Sequence, residues 1–176
     1  MKSVADTTRK TTLDWLLEPD NPSVRFYTLT ELMHKPVADT EVVAAKEAIY
    51  NSGILPTILA EQDEAGYWGD PQKFYTDKYK GTVWQLMILA EVGADISNPG
   101  IRKACEFILE NAQEPESGGF SYRKSAKSPG GLKSEIIPCL TGNMVWSLVK
   151  LGMADDARVQ KGIDWICRYQ RADDGE

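Results

Sequence analysis

The feature that most constrains this chain is an internal repeat of glutamine and glycine. Gln62, Gln113 and Gln170 each end a segment with a helix-like pattern, and each is followed by a short acidic stretch and a glycine turn. The three glutamines are 51 and then 57 residues apart. A period of this length accommodates two helices and a loop, so the repeat predicts an array of helix pairs.

A second pair of segments, residues 82–93 and 141–152, aligns without a gap. Each begins with a threonine that can cap a helix and ends with a glycine, which can close a helix in the left-handed conformation. Both therefore predict helices of about three turns. Other helices are predicted over roughly residues 12–18, 22–35, 40–52, 55–62, 99–112 and 155–170. No stretch alternates with period two long enough for a sheet, so we predict one all-α domain over residues 1–176.

The net charge of −6 argues against nucleic acid or an anionic membrane as the main partner, because both need clustered lysine and arginine. One local exception is a basic run in a loop rich in glycine, serine and proline. It contains Arg123, Lys124, Lys127 and Lys133. The pattern favours a solvated loop, with an anion-binding loop as the alternative.

No apolar stretch approaches the roughly 18 residues that a membrane span needs, and residues 1–10 are too polar for a signal sequence. The chain has three cysteines, Cys105, Cys139 and Cys167, without a C-x-x-C spacing. An odd number of unpaired cysteines suits a reducing compartment. These features predict a cytoplasmic protein without a transmembrane segment.

The order of helix, glutamine, acidic gap, glycine and aromatic, in residues 62–68 and 113–120, resembles the Q-W repeat of squalene and hopene cyclases and protein prenyltransferase β subunits. Residues 161–170 fit the start of the same motif. The resemblance covers the chain from about residue 54. It implies an α/α toroid, in which inner and outer helices alternate around a cavity that holds isoprenoid chains in characterised relatives.

Beside the resemblance, physical reasoning predicts structural roles for the repeated residues. The glutamines would bond groups at helix ends, and Trp68 and Phe120 would be buried against a neighbouring helix pair. The helices from Thr82 and Thr141 would be inner helices, side by side and parallel. The helices that end at Gln113 and Gln170 would lie outside them.

The catalytic motifs of these families are incomplete in this chain. Cyclases of the squalene type use a D-x-D-D acid, but residues 154–156 and 172–174 each lack the first aspartate. Protein prenyltransferases bind zinc through Asp, Cys and His, and the single histidine, His34, lies near a helix end where histidine is commonly structural. No catalytic residue is therefore assigned, and catalysis itself stays open.

In a toroid, the N-terminal ends of inner helices border the cavity. This placement singles out six cavity-lining candidates: Tyr75, Asp77, Tyr79, Trp84, Glu135 and Asn143. Cys139, at the start of an inner helix, is the candidate ligand if the full-length protein holds a zinc ion. The alternatives are that Trp84 belongs to the core and that Cys139 is a small buried hydrophobe.

A closed toroid needs about twice as many helix pairs as this chain supplies, and the last repeat stops at Glu176 before its aromatic residue. We therefore expect an incomplete, open half, the N-terminal part of a longer toroid, whose open ends can self-associate. The leading functional hypothesis is binding or transformation of an isoprenoid or similar apolar substrate. The alternative is a non-catalytic module that binds a protein or lipid on its concave face. A hydrolase acting on a polar substrate ranks third, because no nucleophile and base pair is evident.

Overall fold

The computed structural model describes residues 12–169. The chain divides into two compact units between Ala60 and Glu61. Within the described residues the regular elements are helices, and β pairing is limited to isolated bridges. The prediction of an all-α fold is confirmed.

The first unit has a short helical segment at residues 12–16, followed by three helices. These are α1 (Pro22–Tyr27), which continues as a π-helical turn over Thr28–Leu32, α2 (Thr40–Asn51) and α3 (Ile54–Ala60). Asn21 caps α1 by accepting a hydrogen bond from the backbone N–H of Val24, with a proline in the first turn as predicted. Buried Leu29 and Val42 belong to the core of this unit.

In the second unit, residues 61–169 form four helices and two short 3-10 turns. The helices are α4 (Thr82–Glu91), α5 (Pro99–Asn111), α6 (Pro138–Leu148), which continues as a π-helical turn over Val149–Met153, and α7 (Ala157–Tyr169). The 3-10 turns, Lys78–Lys80 and Lys133–Glu135, precede α4 and α6. Gly93 and Gly152 have positive φ angles of 84° and 101°, as predicted for glycines that close helices.

The two threonines predicted as helix caps have a different role. The residues at the cap positions are Gly81 for α4 and Ile137 for α6, and neither helix has a side-chain cap. The hydroxyls of Thr82 and Thr141 are buried and instead accept hydrogen bonds from the backbone N–H groups of Trp68 and Phe120, at 3.1 and 2.9 Å. The capping prediction was wrong because these backbone groups need buried acceptors.

The inner helices α4 and α6 pack side by side. Near their N-terminal ends, the rings of Tyr75 and Tyr122 have centroids 6.3 Å apart. Just beyond their C-terminal ends, the N–H of Ile96 donates to the carbonyl of Leu151 at 2.9 Å. Corresponding ends meet, so the two helices are parallel, as predicted. α5 packs on α4 and α7 packs on α6, while Gln170 lies outside the described residues.

Each described glutamine of the repeat bridges two carbonyl groups. The Nε2 of Gln62 donates to the carbonyls of Gly66 and Gly100, at 3.1 and 2.9 Å. The Nε2 of Gln113 donates to the carbonyls of Gly118 and Arg158, at 3.0 and 2.7 Å. Gly100 and Arg158 are the second residues of α5 and α7. The glutamine therefore ties its own turn to the outer helix of the next repeat.

The glycine of each turn lies directly against the backbone of that outer helix. A Cβ at Gly66 would be 2.7 Å from the carbonyl of Lys103, and a Cβ at Gly118 would be 2.4 Å from the carbonyl of Lys161. Both glycines also have positive φ angles. Only glycine can adopt a positive φ angle and approach the helix backbone this closely without strain. Both the turn and the contact therefore require glycine at these positions.

The residue after the turn glycine differs between the two repeats. In the first, the ring of Tyr67 packs on Phe107, with centroids 5.3 Å apart. In the second, Gly119 takes this place, and a Cβ there would be 2.8 Å from Nε1 of Trp165. Where the turn residue is the smaller Gly119, the aromatic residue of the outer helix is the larger Trp165. The interface between the turn and the outer helix therefore stays filled in both repeats.

Trp68 is 3% exposed and Phe120 is fully buried, so the predicted burial of both aromatics is confirmed. We expect Trp68→Ala to lower the free energy of unfolding by about 3–5 kcal/mol, because it empties a buried aromatic site. Urea denaturation followed by circular dichroism measures this loss. Trp146→Ala is the control, because Trp146 is 40% exposed. Equal losses in the two variants would contradict the role given to Trp68.

Candidate functional site

Three aromatic residues cluster at the N-terminal end of α4. The ring of Trp84 stacks on Tyr75 with centroids 6.1 Å apart, and it lies 5.3 Å from the ring of Tyr79. The indole N–H of Trp84 donates to the carbonyl of Tyr75 at 3.0 Å. Trp84 is partly exposed and Tyr79 is 71% exposed. The alternative of a core tryptophan at position 84 is therefore wrong, and solvent reaches the cluster.

Tyr122 extends this cluster to the next repeat. Its ring centroid lies 6.3 Å from that of Tyr75, and the Glu135 side chain lies near its hydroxyl and raises the pKa of Tyr122. Its backbone N–H also donates to the carbonyl of Glu135 at 3.3 Å. Sequence reasoning missed Tyr122, although an aromatic residue in a polar loop just after Phe120 was a usable signal. We call Tyr75, Tyr79, Trp84 and Tyr122 the aromatic cluster.

The other predicted lining residues lie apart from this cluster or at its edge. Glu135 joins it through Tyr122. Asp77 is partly buried at the start of the 3-10 turn that carries Tyr79, where its carbonyl accepts from the N–H of Lys80 at 3.3 Å. Asn143 lies on the exposed side of α6. The structure thus brings together four of the six candidates: Tyr75, Tyr79, Trp84 and Glu135.

The exposed side of α6 is a second surface. Cys139, Asn143, Trp146 and Lys150 follow one another at helical spacing, and all four are exposed. The Nζ of Lys150 lies 6.0 Å from the centroid of the Trp146 ring, within reach of a cation–π contact. We call these four residues the α6 face. It combines a large apolar ring with polar neighbours on a helix parallel to α4.

Cys139 is exposed, so the alternative of a buried hydrophobe is wrong for this residue. That description fits Cys105, where burial raises the pKa of the thiol to about 12. Across residues 12–169, no three or more His, Cys, Asp or Glu side chains are grouped so that they could hold a metal ion. Zinc binding through Cys139 stays a prediction that requires further ligands.

Asp156, directly before α7, has a structural role. The carboxylate of Asp156 accepts hydrogen bonds from the backbone N–H and the Nε of Arg158, at 2.8 and 3.0 Å. The hydrogen bonds from the Arg158 side chain are the main cause of a lowered pKa at Asp156. The same guanidinium makes two hydrogen bonds to Glu106 on α5, at 2.7 and 3.0 Å. The second pair, Asp173 and Asp174, lies outside the described residues.

The Tyr122 hydroxyl provides a test of the site. Its hydrogen bond to Glu135, its partial desolvation and the charge of Glu135 raise the pKa of Tyr122 above 10.0. Since this pKa is raised on folding, the associated stabilisation is complete below the unfolded pKa and is lost as the pH rises through the folded pKa. We expect Glu135→Gln to lower the pKa of Tyr122. Ultraviolet titration of phenolate absorbance measures it, as the difference from the matching Tyr122→Phe protein.

The control for that titration is Glu91→Gln, which removes an exposed carboxylate from α4. This variant should leave the titration of Tyr122 unchanged. If Tyr122 titrates at the same pH in wild type and in Glu135→Gln, the Tyr122 hydroxyl does not interact with Glu135 in solution.

Two findings bear on what kind of protein this is. No helix among residues 12–169 is both long and apolar enough to cross a membrane. The family model of the squalene-hopene cyclase C-terminal domain matches residues 37–176, which include both described glutamine turns, α4 to α7 and the aromatic cluster. Neither a curated protein nor a solved structure matches the chain. The match covers most of the sequence, and the chain therefore belongs to the squalene-hopene cyclase family, through its C-terminal domain.

Proposed function

We propose that this protein binds an isoprenoid or similar apolar chain on two exposed surfaces of its neighbouring inner helices, the aromatic cluster and the α6 face. The observation that carries the proposal is the exposure of aromatic rings in the 3-10 turn before α4 and on α6, the inner helix parallel to α4. Tyr79 is 71% exposed and Trp146 is 40% exposed, whereas Trp68 and Phe120 of the glutamine turns are buried. Family membership supports an apolar, polyene-like ligand.

Aromatic rings suit such a ligand for two reasons. Each ring offers a large apolar area, and covering it releases about 25 cal/mol for every Å² removed from water. The π faces also attract polarisable double bonds and cationic centres. The stacked pair of Tyr75 and Trp84 is held by the indole hydrogen bond, so little ordering is needed when a ligand arrives.

We propose binding, rather than transformation, as the role of the described residues. Protonation of an alkene needs a free acid next to the bound chain. The carboxylate of Asp156 is already occupied by Arg158, and the Glu135 carboxylate interacts with the Tyr122 hydroxyl, whose pKa it raises. A protein-binding module on the same surface is the competing function, and the experiment below separates the two.

Equilibrium dialysis with radiolabelled farnesol, a soluble C15 isoprenoid, tests the proposal on the full chain. We expect saturable binding to the wild type and competition by unlabelled squalene. Trp146→Asp should weaken farnesol binding about tenfold or more, because it replaces apolar contact by a charge that must be desolvated. The exposure of Trp146 means that the helical signal should be retained.

Trp15→Asp is the matched control. Trp15 lies in the first unit and is 65% exposed, so this variant makes the same chemical change outside the proposed surface. It should bind farnesol like the wild type. The absence of saturable binding to the wild type, or equal affinities in the two variants, would reject the proposal and favour the protein-binding module.

A further inference from the structure

The loop between Phe120 and α6 forms an open cavity with basic walls. The cavity has a volume of about 560 Å³, and its charged lining residues are Arg123, Lys124 and Lys127. Gln72, Ser125, Ala126 and Leu132 complete the lining, so no carboxylate contributes to it. A concave surface lined by charges of one sign concentrates its field on whatever enters. This local charge is opposite to the net charge of −6 of the whole chain.

The loop that carries these cations is held in one conformation by hydrogen bonds. The N–H of Ser125 donates to the carbonyl of Gly130, and the N–H of Leu132 donates to the carbonyl of Arg123, both at 2.9 Å. The hydroxyl of Ser125, which is 8% exposed, accepts from the N–H groups of Lys127 and Ser128 at 3.2 Å.

The base of the loop is equally constrained. The N–H of Gly131 donates to the carbonyl of Gln113 at 2.9 Å. A Cβ at Gly130 or at Gly131 would lie 2.2 Å from a backbone carbonyl of the segment that ends α5. The base of the loop is thus packed onto the turn of the repeat, while Arg123, Lys124 and Lys127 are exposed, as expected for a solvated loop.

No carboxylate in the described part of the chain neutralises the cations of the cavity. Within residues 12–169, no carboxylate forms an ion pair with Arg123, Lys124 or Lys127. Arg123 stacks over the ring of Tyr122 at 5.8 Å, and the Nζ of Lys124 donates to Oδ1 of Asn111 at 2.6 Å. By contrast Lys133, the fourth basic residue of the run, pairs with Glu116 at 3.2 Å and does not line the cavity.

We propose that this cavity is a binding site for a phosphate-type oxyanion, held by Arg123, Lys124 and Lys127. A guanidinium offers two parallel donors to a phosphate, and two ammonium groups add charge at positions that the rigid loop sets in advance. The volume accommodates a diphosphate or the phosphate head group of a larger molecule. The cavity adjoins the aromatic cluster through the contact of Arg123 with Tyr122, but this proposal does not rest on the binding of apolar chains.

Calorimetric titration of the full chain with inorganic pyrophosphate at low ionic strength tests the proposal. We expect saturable binding to the wild type that weakens as salt is added. The double variant Arg123→Gln with Lys127→Gln should weaken binding about tenfold or more, because two charge-assisted contacts are lost. Both residues are exposed, so the fold should be retained, as circular dichroism can verify.

The control is the double variant Lys80→Gln with Arg168→Gln. It removes one lysine and one arginine from exposed positions outside the cavity, so its net charge equals that of the loop variant. It should bind pyrophosphate like the wild type. Equal weakening in both double variants, or no saturable binding of pyrophosphate or vesicles to the wild type, would overturn the proposal.

Vesicles distinguish the source of the anion. Flotation with phosphatidylcholine vesicles that contain phosphatidate, compared with phosphatidylcholine alone, measures binding to a lipid head group. Binding of free pyrophosphate without flotation supports a site for a soluble phosphate. Flotation that needs phosphatidate and is lost in the loop variant supports a lipid head group as the ligand. Flotation that the loop variant retains would count against the site.

Discussion

The rest of the second unit depends on one interaction, the glutamine amide that donates to two carbonyls at once. An amide nitrogen carries two protons, and Gln62 and Gln113 each use them on the glycine of their own turn and on the second residue of the next outer helix. Gln113 is 4% exposed, so water cannot easily replace its amide as the hydrogen-bond donor to these carbonyls. The two hydrogen bonds of each amide hold the turn close to the outer helix of the next repeat. This short distance explains why only glycine fits at Gly66 and Gly118.

The position of the site follows from the same arrangement. Each glutamine turn leads directly to an aromatic residue whose N–H reaches a threonine of an inner helix, at Thr82 or Thr141. This contact places successive inner helices in the same orientation, so the segments before them lie side by side. Tyr75 and Tyr122 meet for this reason, and the basic loop after Tyr122 is fixed against the same turn. Structural residues of the repeat therefore position both proposed binding surfaces without contributing to either.

The sequence predicted the structural features that recur with the repeat. It did not predict the contacts that form only when distant parts of the chain come together in the fold. The helix pairs, the parallel inner helices and the burial of Trp68 and Phe120 all follow from repeated local patterns. The threonines were misread as caps, because their partners lie 14 and 21 residues away and only the folded chain brings them together. Tyr122 was missed for the same reason, since its contact with Tyr75 joins two repeats.

The most direct test of this account is the free energy of unfolding of Gln113→Leu, measured by urea denaturation. Leucine keeps much of the side-chain volume and removes both hydrogen bonds, so the carbonyls of Gly118 and Arg158 lose a partner. The account predicts a loss of about 1–3 kcal/mol. Gln160→Leu, in which an exposed amide loses its bond to the carbonyl of Ala154, should stay within about 0.5 kcal/mol of the wild type. A loss for Gln113→Leu no larger than that of Gln160→Leu would contradict the account.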